Sequence, residues 1–354
     1  WALAEFVLFK PLLRHIPTPL YNHMIREMRI LGQSSKAGLT PAPDYLGMAG
    51  DSYAQGKGDW FIESGYNRYA GFHSAHLLQD ALGVDVLTYG RSGSGSVEGL
   101  IIEPMQDMRM LRGLGFDVPD PKCMLYYFYE GNDIADNLTL LLRHFDPEHP
   151  GEDPGDPAVF QPFLAEVEAE YASGAPRSTA DGYLFSSFFL RLARDKLLGP
   201  LGRLVQEPEP PEPAGETNVF VIDGERVPAP DRLQSGGVTF TKEEIDRGLD
   251  VFEQAFDYAR RAYPDTRFLV VFIPAPVTCY EIASEELSLY HNPYEPFPSA
   301  LVEPRHELIL ERVRDIATSR GAAFIDPTPA IRAACESEPL HGPRDWRHFN
   351  RRGY

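Results

Sequence analysis

A chain of 354 residues, 43% hydrophobic and 24% charged, has the composition of an ordinary globular protein and is long enough for one large domain or two modest ones. Its net charge of −19 argues against nucleic acid as a partner, because phosphate binding draws on Lys and Arg. Cys123, Cys279 and Cys335 are scattered, without the paired spacing of a zinc site or a disulfide framework.

The chain opens on "WALAEFVLFKPLLRHIP", and Trp1 in place of Met fits a processed or trimmed start. The apolar run is too short to span a bilayer, which takes about twenty residues. Residues 1–36 nevertheless carry a net charge of +3 in an acidic protein. The N-terminal segment, residues 1–40, therefore reads either as a helical, membrane-proximal start or as a helix packing on the domain. The first reading places the protein in the periplasm or another extracytoplasmic space; the cytoplasm is the alternative.

Five apolar runs follow in order: "YLGMAG" (45–50), "VDVLTYG" (84–90), "CMLYYFY" (123–129), "RFLVVFIP" (267–274) and "AAFIDP" (322–327). They are continuously hydrophobic instead of alternating, as strands buried on both faces of a parallel sheet are. Helical periodicity fills 66–82, 98–114, 242–263, 304–320 and 328–337. Over 242–263 the signals are clearest, with Thr241 as cap, acids in the first turn and Pro264 beyond the end. Strand and helix alternating in this way predict a doubly wound α/β core over 41–137 and 246–354. Between the halves lies a long insertion, 138–245, whose "DPEHPGEDPGDP" and "EPEPPEPAGE" read as extended linkers. Its apolar helix over 182–204, carrying Leu184, Phe185, Phe188, Phe189 and Leu192, is expected either to cap the site or to pack on the sheet.

In open parallel sheets ligands bind beyond the carboxyl ends of the strands, so the loops there carry the chemistry. "GDSYAQG" places Ser52 on a tight turn into a helix, where a nucleophile is exposed and an N–H favours negative charge; a plain helix cap is the competing role. "YGRSGSGS" offers glycines that let backbone approach a ligand, without the Lys of a P-loop, so a non-nucleotide anion site fits better. "YEGNDIADN" supplies Asn132, either an amide donor for an oxyanion or a turn residue bonding its own backbone. In "DWRHFNRRGY", His348 stands three residues after Asp345, as a general base and its orienting acid would, or as part of a polar tail. Jointly these loops hold the parts for acyl transfer through a serine ester.

These four blocks, in this order, resemble the SGNH or GDSL-type hydrolases. The resemblance implies a flavodoxin-like three-layer α/β/α sandwich with about five central strands. It also implies Ser52 as nucleophile, His348 as base and Asp345 as third member of a triad. Ser52 N–H, Gly93 N–H and Asn132 become the oxyanion donors, and no cofactor or metal is called for. Two positions depart from the family's pattern: Glu130 stands where the third block usually has glycine, and Thr88 where an Asn often precedes the second. The implied activity is ester hydrolysis or O-acyl transfer on a small-molecule or glycan ester. Tyr53, Trp60 and Trp346 flank the site and would suit sugar stacking, with core packing as the competing role. A catalytically silent scaffold subunit of a membrane assembly is the rival reading. A metal-dependent phosphodiesterase fits less well, since no His and Asp cluster accompanies the serine. The resemblance further implies a closing helix, of which "NRRGY" would be the first turn.

Overall fold

The computed structural model describes residues 9–64, 73–173, 184–198, 210–290 and 296–354, with Leu3 and Gly71. Most of the opening "WALAEFVL", the start of the helix expected over 66–82, part of the second linker and both ends of the helix expected over 182–204 lie outside these residues.

Strands β1 (Leu46–Gly50), β2 (Val86–Thr88), β3 (Cys123–Tyr129), β4 (Arg267–Ile273) and β5 (Ala323–Ile325) form one sheet, each within an expected run. Their order is β5-β4-β3-β1-β2 and every pairing is parallel, the flavodoxin-like arrangement. Along β3 the side chains alternate between two hydrophobic clusters. Met124, Tyr126 and Phe128 enter one, while Leu125, Tyr127 and Tyr129 enter the other. Both faces are buried, which is why the strands read as continuous apolar runs. The fold is a three-layer α/β/α sandwich.

The helix Lys242–Ala262 starts at a capping box, with Thr241 N–H donating to the Glu244 carboxylate at 2.8 Å and Glu244 N–H returning to Thr241 Oγ1 at 3.2 Å. It buries Ile245, Leu249, Phe252 and Phe256, and Phe252 stacks on Tyr126 with ring centres 5.6 Å apart. The helix expected over 98–114 is instead a π-turn, Glu98–Ile102, followed by an α-helix, Glu103–Gly113. Pro104 has no N–H to give to an unbroken α ladder, so the pattern restarts there.

The described part of the N-terminal segment packs on the domain. Pro17 and Pro19 break any long helix, and the chain runs as short 3₁₀ turns, Leu13–His15, Thr18–His23 and Arg26–Gly32. These turns bury Leu13, Tyr21, Met24, Met28 and Leu31 in the first cluster. Among the described residues no helix is long and apolar enough to cross a membrane.

The insertion serves both layers. Phe145, Phe160 and Phe163 join the first cluster with ring centres 5.0–5.3 Å apart. Farther along, Val219–Ile222 pairs antiparallel with Glu225–Pro228 and Glu281–Ile282, and its Phe220 enters the second cluster. The helix Leu184–Ala193 lies on the N-terminal segment, with Phe9 and Phe188 ring centres 5.7 Å apart. Its described contacts are thus with the N-terminal segment, a packing partner that neither expected role named.

Candidate active site

β1 ends at Gly50, and the chain turns at once into the one-turn helix Ser52–Gln55. Asp51 caps it, its Oδ1 accepting from Tyr53 N–H at 2.8 Å. Ser52, 6% exposed, lies at the first turn of that helix. Its Oγ is 2.8 Å from His348 Nε2, across 296 residues of sequence. The other ring nitrogen, Nδ1, is 2.6 Å from Asp345 Oδ2. A carboxylate on Nδ1 holds the proton there and leaves Nε2 to accept from the serine. The Ser52 hydroxyl has a second acceptor, Asp51 Oδ2, but at 3.1 Å it is the longer contact.

The electrostatics agree with this geometry. Burial pushes the Asp345 carboxyl up, but the bond to His348, the His348 charge and Arg347 N–H outweigh it and hold Asp345 below its ordinary value. Asp51 moves the other way, because its complete burial outweighs the Tyr53 N–H, His348, Ser52 and Asn132 that favour its ionised form. Behind it, burial and then the Asp51 and Glu98 charges push Asp136 up to about 7. A second histidine near the block, His341, is driven down to about 3 by burial. It is neutral, and its Nδ1 is 2.9 Å from the Tyr280 hydroxyl, so it belongs to the core.

The stretch "DWRHFNRRGY" is anchored along its length. Arg347 C=O accepts from the Tyr53 hydroxyl at 2.9 Å and the Tyr129 hydroxyl at 3.2 Å. Tyr354 donates to Lys57 C=O at 2.6 Å. Gly58, with φ +144°, lets two backbones meet: a Cβ there would stand 2.0 Å from the Phe349 carbonyl oxygen. Next to it, the buried Asp59 carboxylate accepts from Asp345 N–H at 2.7 Å and from Arg344 N–H at 3.1 Å. Asp59 thus holds the backbone of the Asp345 block in place, a positioning contact that sequence reasoning missed. "GKGDW" signals the start of a helix, but its partners lie about 285 positions away.

Asp59→Ala is therefore expected to lower kcat by about 10²-fold, the typical cost of a small misplacement of catalytic groups. KM should change little, and Asp59→Asn, which keeps an acceptor oxygen, should recover most of the rate. Equal losses in both variants, or a loss confined to KM, would remove Asp59 from this role.

The proposed oxyanion donors have distinct surroundings. Asn132 precedes the helix Asp133–Leu140, yet its side chain makes no cap bond, so the self-bonding turn role does not apply. The residue is 6% exposed and its Oδ1 has no hydrogen-bond partner among the described residues. Gly93 sits exposed in the loop after β2 at φ +74°, with open space where a Cβ would be. That loop is held by Ser92 N–H donating to Gln55 Oε1 at 3.0 Å, and by Arg91 bridging Glu103 and Asp107 at 2.6 Å each.

Three expectations need correction. Tyr53, Trp60 and Trp346 are 0%, 1% and 8% exposed and offer no open face for sugar stacking. Tyr53 packs between Tyr129 and the His348 ring, at 4.5 and 5.3 Å, and so supports the base from behind. Trp346 packs against Phe220 and Tyr280, and Trp60 against His73. The competing role, packing, is the one their surroundings describe: Tyr53 and Trp346 belong to the second hydrophobic cluster, and Trp60 is closed in beside Phe61 and His73.

Among the described residues no three His, Cys, Asp or Glu side chains are grouped as metal ligands. A separate concavity of about 590 Å³ is walled by acids including Asp146, Asp153, Asp246 and Asp250, and includes no member of the Ser52–His348–Asp345 set. Burial and neighbouring carboxylates push Asp250 up to about 6.

No protein-family model and no curated protein matches the chain. Among solved structures the chain is similar to phospholipase A1 from Streptomyces albidoflavus NA297. The identity is 13%, the alignment covers 88% of this chain and 94% of that one, and the TM-score is 0.36. The fold assignment rests on the chain's own strand order and pairing.

Proposed function

We propose that this chain is a serine-dependent ester hydrolase or O-acyltransferase of the SGNH type. The reading is carried by the 2.8 Å contact of Ser52 Oγ with His348 Nε2, backed by Asp345 on Nδ1 at 2.6 Å. Ser52 Oγ attacks an ester carbonyl while His348 Nε2 takes its proton, and Asp345 stabilises the imidazolium. The tetrahedral oxyanion is held by Ser52 N–H, Gly93 N–H and the Asn132 amide. Collapse expels the alcohol, which takes the proton from His348 and leaves the acyl group on Ser52. Water or an acceptor hydroxyl then repeats the steps in reverse.

The substrate class is a small-molecule or glycan ester on the strength of the resemblance, and an extracytoplasmic location rests on the basic N-terminal segment; the buried aromatics add nothing to a glycan preference. A fluorophosphonate probe tests the reading directly. Labelling at Ser52 is expected, whereas absence of labelling in a folded sample would leave the silent scaffold. Asn132→Ala should lower kcat by about 10²- to 10³-fold with the thermal unfolding midpoint nearly unchanged. A rate within a few-fold of the parent would take Asn132 out of the hole.

A further inference from the structure

Exposed large hydrophobic residues gather where the insertion helix meets the N-terminal segment. Leu190 and Leu197 are 71% and 68% exposed, and Leu12 is 54% exposed. The helix Leu184–Ala193 continues as the π-turn Arg194–Leu198. Its inner side buries Ser187 and Phe188, and Phe9 meets both Phe188 and Phe189, at 5.7 and 6.4 Å. At the other end His23 Nδ1 is 2.7 Å from Asp195 Oδ2, so the two segments are joined twice. The outer side presents Leu190, Ala193, Arg194 and Leu197, residues three or four apart on successive turns.

Among the described residues the charge around these leucines is opposite to that of the protein as a whole. Arg194 and Lys196 are exposed and Arg191 is half-buried beside them, whereas Arg14, two residues after Leu12, donates to the Gly115 carbonyl. The single acid on this stretch, Asp195, is already engaged by His23 and Arg194. Apolar side chains ringed by cations, in a chain of net charge −19, complement an anionic interface better than another copy of the same acidic protein.

We propose that the helix Leu184–Ala193, its continuation through Leu198 and the adjoining turn Lys10–Leu12 form a docking face for an anionic lipid surface. The leucines enter the boundary between headgroups and acyl chains, and the cations meet the lipid phosphates. This face is independent of Ser52 and of any catalytic step.

Co-sedimentation of the full chain with phosphatidylcholine vesicles, with and without added phosphatidylglycerol, tests the proposal. Binding to the anionic vesicles is expected to be about tenfold or more stronger, and to fade with salt. Leu190→Ser/Leu197→Ser should lower it by about tenfold or more, and Arg194→Glu/Lys196→Glu should erase the preference for phosphatidylglycerol. Circular dichroism and thermal unfolding of each variant separate lost docking from lost folding, and a single substitution, Leu197→Ser, serves if the double variant unfolds. Equal binding to both vesicle types, or binding untouched in folded leucine variants, would overturn the proposal. So would a concentration-dependent dimer, without vesicle binding, that the leucine variants abolish.

Discussion

Ser52→Ala is expected to lower ester cleavage by about 10⁶-fold in kcat and to abolish fluorophosphonate labelling. The change removes one oxygen from a position that is 6% exposed, so the fold has little to lose. The chemistry loses its nucleophile, and His348 Nε2 loses the donor it holds at 2.8 Å. Asp51, whose Oδ2 is the hydroxyl's other acceptor at 3.1 Å, is held in place by Tyr53 N–H on Oδ1 at 2.8 Å and stands one residue short of the serine's position. Whatever rate remains would come from binding and from the oxyanion donors alone. Hydrolysis of p-nitrophenyl acetate, corrected for the uncatalysed rate, is the measurement. A residual rate within about tenfold of the parent would mean that acyl transfer does not pass through Ser52.

The sheet was legible because burial on both faces leaves a simple trace, five continuous apolar runs separated by helical periodicity. The candidate site was legible as residue types: Ser52 and Asn132 closely follow β1 and β3, where an open sheet places ligand groups, while Asp345–His348 comes after the last strand and its helix. Their supports were not legible. Asp59 reads as a helix start, and nothing nearby says that its carboxylate holds the backbone of Asp345. Tyr53 and Trp346 stand beside Ser52 and Asp345 in sequence, but only the folded chain shows them closed in by Tyr129, Phe220 and Tyr280. The N-terminal segment was only partly legible. Its apolar content suits a helix, yet past the short α-turn Lys10–Leu12 the described part, which holds Pro17 and Pro19, runs as 3₁₀ turns.

Glu130, which stands where the SGNH-type pattern that the chain resembles has glycine, is where the largest loss of stability is expected. It is fully buried directly after β3, two residues before Asn132. One oxygen is 2.9 Å from His306 Nδ1, itself 2% exposed; the other accepts from Ala275 N–H and Thr278 Oγ1, both at 2.8 Å. The carboxylate thus joins the loop after β4 and the helix Val302–Ser319 to the turn that presents Asn132. Glu130→Ala strands buried donors and is expected to cost about 3–5 kcal/mol. The loss should depend on pH. Burial pulls the His306 value down, but the charge and hydrogen bond of Glu130 outweigh it and raise it above the ordinary 6.5. A raised histidine contributes stability that is fully present below its unfolded value and is lost as pH rises through the folded one. The gap between the parent and Glu130→Ala should therefore be widest below pH 6.5 and narrower in the alkaline range. Urea titrations at both ends measure it. A gap below about 1 kcal/mol on the acid side would show that this pair is no stronger than a surface one. A gap that widens with pH would show that the sign of the His306 shift is wrong.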